Sequence, residues 1–227
     1  IVIYDFDGTL TPYPITNFST SAKAHLDLND KSDVYIKHLN ANMSKSSISF
    51  SGTIKDVMDK MYCNVKFDAN ANLDELQSFI PEGIVARGNF KLNADAAFNN
   101  YQLTNMDFMK AKVNGSLVWN DMSVVYYDTI NVDADKLVVE LTLPNSASQE
   151  LTNSLAAVKI SGEKLDAKVS DMIVANLKDY NIDAQVSNIL DENIPMSVYA
   201  DYDFARIDAS MDDMTFFTNN PKGSVAM

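Results

Sequence analysis

The chain has 227 residues, 46% of them hydrophobic, and a formal charge of -13 from 18 basic and 31 acidic side chains. That charge disfavours nucleic acid and anionic headgroup surfaces, which need clustered positive potential. The apolar residues are dispersed by alternation and form no run long enough for a membrane-spanning helix. A single Cys63 and only two histidines exclude an intramolecular disulfide and a cysteine-based zinc site, and Cys63 is expected inside as a small hydrophobe.

The chain opens with Ile-Val-Ile-Tyr-Asp-Phe-Asp-Gly-Thr-Leu-Thr over residues 1 to 11, which resembles the first motif of the haloacid dehalogenase phosphatases. That resemblance implies Asp5 as a phosphoryl-accepting nucleophile, Asp7 as general acid/base, and magnesium at the phosphate. The remainder of the chain supplies neither the strand–helix alternation of such an enzyme nor a Gly-Asp dipeptide on a later loop. The segment Asp7-Gly8-Thr9-Leu10 also belongs to a series. Ser51-Gly52-Thr53-Ile54, Arg87-Gly88-Asn89-Phe90, Asn114-Gly115-Ser116-Leu117, Ser161-Gly162-Glu163 and Lys222-Gly223-Ser224-Val225 share its polar-Gly-polar setting before an apolar/polar strand resumes. Glycine inside a strand pattern marks a bulge, a bend or a close backbone approach, so the series predicts a repeatedly bent sheet.

Period-two alternation dominates from there on. Residues 18 to 28 place Phe18, Thr20, Ala22, Ala24, Leu26 and Leu28 on one face and Ser19, Ser21, Lys23, His25 and Asp27 on the other. The alternation slips between Ile36 and Leu39, which predicts a bulge at His38. It resumes at 48–54, 63–71, 86–96, 109–119, 137–143 and 196–204. Helix is expected at Asn72–Ile80, with Asn72 as cap, Glu75 at the reciprocal capping position and Pro81 as stop, and also near 148–156 and 103–108. The acidic sets Asp128, Asp133, Asp135 and Asp201, Asp203, Asp208 follow the spacing of a wet strand face and lack a calcium loop. His25 and His38 have no nucleophile motif beside them. Of the 11 methionines, Met43, Met109, Met122, Met172, Met196, Met211 and Met214 are assigned to inner positions.

A dozen or so one-sided strands exceed what an open twisted sheet sustains without curling, so the sheet must curve. Its apolar face then requires another sheet, closure on itself, or an apolar ligand. The chain is therefore read as all-β with minor α, an elongated, curved, mostly antiparallel sheet forming a groove or an open sandwich or barrel-like structure.

Three stretches carry a further resemblance. Residues 25 to 56, which begin His-Leu-Asp-Leu-Asn-Asp-Lys-Ser-Asp-Val-Tyr-Ile-Lys-His and end Ser-Phe-Ser-Gly-Thr-Ile-Lys-Asp, look like the C-terminal region of AsmA-like proteins of the Bacteroidetes type. So do Asn72-Leu-Asp-Glu-Leu-Gln-Ser-Phe-Ile-Pro81 and residues 202 to 225. The resemblance implies one AsmA-like segment over 1–227 of a longer envelope protein, periplasmic and anchored in the inner membrane by a helix outside this stretch. It further implies a phospholipid or other acyl-chain partner, unidentified envelope partners, no catalytic residue, no cofactor and no metal. On that reading Phe50, Ile54, Val65, Phe67, Phe90, Leu92, Leu117, Trp119, Val198, Tyr202 and Phe204 face lipid. A structural or adhesive β-sandwich with a filled core is the alternative, and the phosphatase a more remote one.

Overall fold

A computed structural model describes residues 15–27, 32–77, 80–104, 111–143, 155–170, 172–187, 195–211 and 214–226. These form one twelve-stranded antiparallel sheet, not closed on itself. Its strands are β1 (Asn17–His25), β2 (Asp33–Asn42), β3 (Ser47–Lys55), β4 (Tyr62–Asn72), β5 (Ile84–Asn99), β6 (Lys112–Tyr126), β7 (Ile130–Leu143), β8 (Leu155–Val169), β9 (Ile173–Ser187), β10 (Ser197–Met211), β11 (Met214–Asn219) and β12 (Lys222–Ala226). Each strand pairs with the next in sequence through β11, while β12 returns to pair with β10 beyond the end of β11. The one α-helix among the described residues is α1 (Asn100–Thr104).

The meander lies in a single layer. The chain exposes 14473 Å², against about 10,300 Å² for a compact protein of its mass. Among the described residues the buried apolar side chains are few, and half of them are alanines, as at Ala69, Ala71 and Ala134. No second sheet packs on the first among the described residues, so the filled sandwich is not the architecture seen.

Two irregularities bend the sheet. One lies where the alternation slips: β2 shifts register against β3 between Ile36 and Leu39, and Ser21 pairs His38 while Ala22 pairs Ile36. The second is a crease across the wide half of the molecule. β5 and β6 shift register between Arg87 and Asn89, and the ladders that follow skip Asp121, Asp135, Glu163, Asp179 and Ala205 in successive strands. At the far edge the line reaches Asn220, whose N–H donates to the Ala205 carbonyl at 2.8 Å. Gly88, Asp121, Asp179 and Asn220 all have positive φ, at 103°, 50°, 43° and 51°. Each strand from β6 to β10 gains one residue at the crease, so apolar positions stand three apart there, as in Leu177 to Tyr180 and Phe204 to Ile207. The extra residue keeps the apolar side chains on one face across the bend.

Several expectations are corrected. Asn72 ends β4, and the described residues after it make i→i+3 bonds, Glu75 to Asn72 at 3.1 Å and Leu76 to Leu73 at 3.0 Å, in place of the expected helix start, while Ser78 and Phe79 lie outside the described residues. So short a helix has little stability of its own, and its key side chain is used elsewhere. The Glu75 carboxylate accepts the Lys45 N–H at 2.8 Å and the Ser46 hydroxyl at 2.7 Å. Leu155 and Ala156 lie in β8, and residues 148 to 154 of the helix expected at 148–156 fall outside the described residues. Only Leu103 and Thr104 of the 103–108 turn are described, within α1. Met122 is buried, but Met172, Met196, Met211 and Met214 are 47–63% exposed, and Met109 lies outside the described residues. Gly115 sits in an unbroken ladder and marks no bend.

Candidate functional site

The apolar face consists of transverse rows, because directly paired residues share a face. One row runs Phe50, Phe67, Ala94, Gly115, Leu141, Val158, Ala184, Ala200, Val225 across nine strands. Beside it run Ile48, Ala69, Leu92, Leu117, Val139, Ile160, Ile182, Tyr202, Gly223. A third row lines the crease: Ala71, Phe90, Trp119, Leu137, Gly162, Tyr180, Phe204. From β1 to β11 the face spans about 50 Å at the usual strand spacing.

Of the eleven residues expected to face lipid, Phe50, Ile54, Val65, Phe67, Phe90, Leu92, Leu117, Trp119, Val198 and Tyr202 are half-buried, flanked by their row neighbours and still reachable from outside. Phe204 differs: at 8% exposure it is buried, with the Tyr202 ring 5.9 Å away and its N–H donating to the Pro221 carbonyl. Val139, Ile160 and Ile182 complete the same rows. Val139 belongs to the alternating stretch 137–143, while in the strands of Ile160 and Ile182 the slips at Glu163 and Asp179 interrupt the pattern, and only the register sets these two in the row of Leu117.

Trp119 and Tyr180 of the crease row seat their polar tips on backbone, leaving the ring bodies in the apolar row. Trp119 Nε1–H donates to the Arg87 carbonyl at 2.9 Å, and the Tyr180 hydroxyl to the Lys136 carbonyl at 3.4 Å. Burial pushes the Tyr180 hydroxyl above its ordinary pKa. Tyr180 lies across Gly162 and Tyr202 across Gly223, filling the space that a Cβ at either glycine would need. These notches on the apolar face are thus closed by neighbouring tyrosines.

The opposite face is polar. Lys66 pairs Asp95 at 3.3 Å, Lys159 pairs Asp183 at 3.2 Å, and Arg206 makes a two-pronged contact with Asp208 at 2.6 and 2.7 Å. These exposed pairs contribute little to stability. Asp201 accepts the Tyr199 hydroxyl at 2.7 Å and the Ser224 hydroxyl at 2.5 Å, and those bonds, Ser224 first, hold its carboxyl below the usual range. Two open hollows of about 470 and 540 Å³ lie on this face, lined by groups such as Asn93, Asp68, Ser49, Asn40 and Lys66.

No cluster of His, Cys, Asp and Glu able to hold a metal occurs among the described residues, and none of their helices is long and apolar enough to cross a membrane. His25 is exposed at the end of β1, and His38 stands at the β2 bulge opposite Ser21. Asp5 and Asp7 lie outside the described residues, and the described strands pair only antiparallel, unlike the parallel frame that the phosphatase motif requires. No protein-family model, curated protein or solved structure matches the chain.

Proposed function

We propose that the chain is a non-enzymatic lipid-binding segment of a cell-envelope protein, AsmA-like in kind, whose apolar face carries acyl chains of a phospholipid as a conduit or as scaffold for one. The observation that carries this reading is the rows of apolar side chains, continuous across up to nine strands, on a face that no second layer of described residues covers. Contiguous apolar surface on this scale marks a site that something apolar occupies. Acyl chains suit it because they are long, apolar and tolerant of an uneven floor, and because the face offers no charged group at the row positions. The periplasm of a Gram-negative cell and an inner-membrane anchor outside this stretch belong to the same proposal.

Native mass spectrometry of protein purified from cells tests it. The expected result is phospholipid adducts that are lost on delipidation and return on incubation with phospholipid. Protein free of adducts, and unable to take up a fluorescent acyl-chain probe, would overturn the reading.

A further inference from the structure

The last strand of the sheet, β11, pairs β10 on one side only among the described residues, leaving a row of outward backbone N–H and C=O groups. Proteins usually blunt such an edge with charge, proline or a bulge. β12 is blunted by Pro221 and Lys222 at its start, and β1 carries Lys23 and His25. β11 reads Met-Thr-Phe-Phe-Thr-Asn, without a charge, in a chain of net charge -13. It also carries an aromatic side chain on each face. Phe216 ends an apolar row through Ala209 and Ala175, while Phe217 stands on the polar face opposite Asp208, with the Arg206 guanidinium 6.0 Å from its ring. The two rings are 59% and 67% exposed. An edge built only to meet water does not need an aromatic residue on each side.

We propose that β11 is a dimerisation edge, pairing antiparallel with β11 of a second copy. The argument is self-complementarity. A two-fold axis through Phe216 sets that ring against its own counterpart and Thr215 against Phe217 of the second copy. Aromatic–aromatic and aromatic–Thr contacts across strands are favourable, and no like charges meet. The Ala175–Ala209–Phe216 row then continues into the second copy, so that one apolar row crosses both molecules. This inference does not depend on lipid occupying the face.

Sedimentation velocity on the full chain is the test. The expected result is a dimer of the 25.2 kDa chain whose fraction rises with protein concentration and with salt, because screening relieves repulsion between two acidic molecules. Phe217→Lys, at an exposed position, should keep the β spectrum and weaken dimerisation by about tenfold or more. Oxidised Phe216→Cys should form an intermolecular disulfide, since opposed Cα atoms lie within bridging range, whereas Asn219→Cys should not. A wild type that stays monomeric at every concentration and salt level overturns the proposal. So does a dimer that survives Phe217→Lys, or that cross-links as readily through Asn219→Cys. The cross-linking arm decides the matter should Phe217→Lys fail to fold.

Discussion

At the scale of single residues, position in the sheet decides what a small side chain does. Gly88 has φ of 103°, and a Cβ there would press on the backbone carbonyls of Asn120 and Asp121, which the β6 ladder holds in place. Gly88→Ala should therefore cost about 2 kcal/mol or more, combining unfavourable backbone conformation with overpacking. Gly115 has no positive φ, and its closest neighbour would stand 3.2 Å from an added Cβ. Gly115→Ala should cost under about 1 kcal/mol, as denaturant midpoints would record. Equal losses at the two sites would contradict the crease as a backbone requirement. Cys63 is 7% exposed, and desolvation raises its thiol pKa, so little thiolate forms at neutral pH. Its reaction with an aromatic disulfide reagent should be slow in the native protein and rapid in denaturant; fast native labelling would show that β4 opens.

Among the elements, the connection between β4 and β5 shows how one carboxylate can substitute for a helix. Glu75 is 4% exposed; it bonds Lys45 N–H and Ser46, while the Ser46 oxygen accepts the Asn72 N–H at 3.1 Å. The network ties the β2–β3 turn to the end of β4. Glu75→Ala strands two donors in a buried setting and should destabilise by about 1–3 kcal/mol, with Glu75→Gln losing less; calorimetric midpoints would rank the two. The local pattern Asn-Leu-Asp-Glu fits a helix start and marks Glu75 as a capping residue, whereas its true partners lie about 30 residues upstream in the chain. Many of the strands were legible, since alternation such as Val65, Phe67, Ala69 is a local signal, and so was the bulge at His38, whereas β8 and β9 lie outside the alternating stretches that the sequence showed. The crease was not legible. The slip at Leu177-Lys178-Asp179-Tyr180 is visible alone, but its alignment with Asp121 and Ala205 depends on registers that no single strand encodes. Within the candidate site the same limit applied: Phe50 and Phe90 could be placed on the apolar face by period, but the burial of Phe204 comes from Tyr202 and the crossing at Pro221, which period does not report.

For the whole molecule, the question is whether the apolar face is a surface that meets lipid or one that merely tolerates water, and charge substitutions separate the two through their dependence on burial. Phe90 and Phe50 are half-buried on a face without a second layer. A carboxylate introduced at either site can reach water, so Phe90→Glu and Phe50→Glu should keep a cooperative unfolding transition with losses of about 1–2 kcal/mol. Phe204 is 8% exposed, and a charge there would be buried without a partner. Phe204→Glu should cost several kcal/mol more or prevent folding. This split in stability is expected with or without a ligand, and it tests the architecture alone. Lipid content then tests function. If acyl chains lie along the rows through Phe50 and Phe90, the two folded variants should release bound phospholipid, measured by native mass spectrometry, while Lys66→Glu on the polar face should retain it. Unfolding by Phe90→Glu and Phe50→Glu as severe as that by Phe204→Glu would mean that the face is covered, and the conduit would fall with it. Folded variants that keep their lipid would move the binding site off these rows.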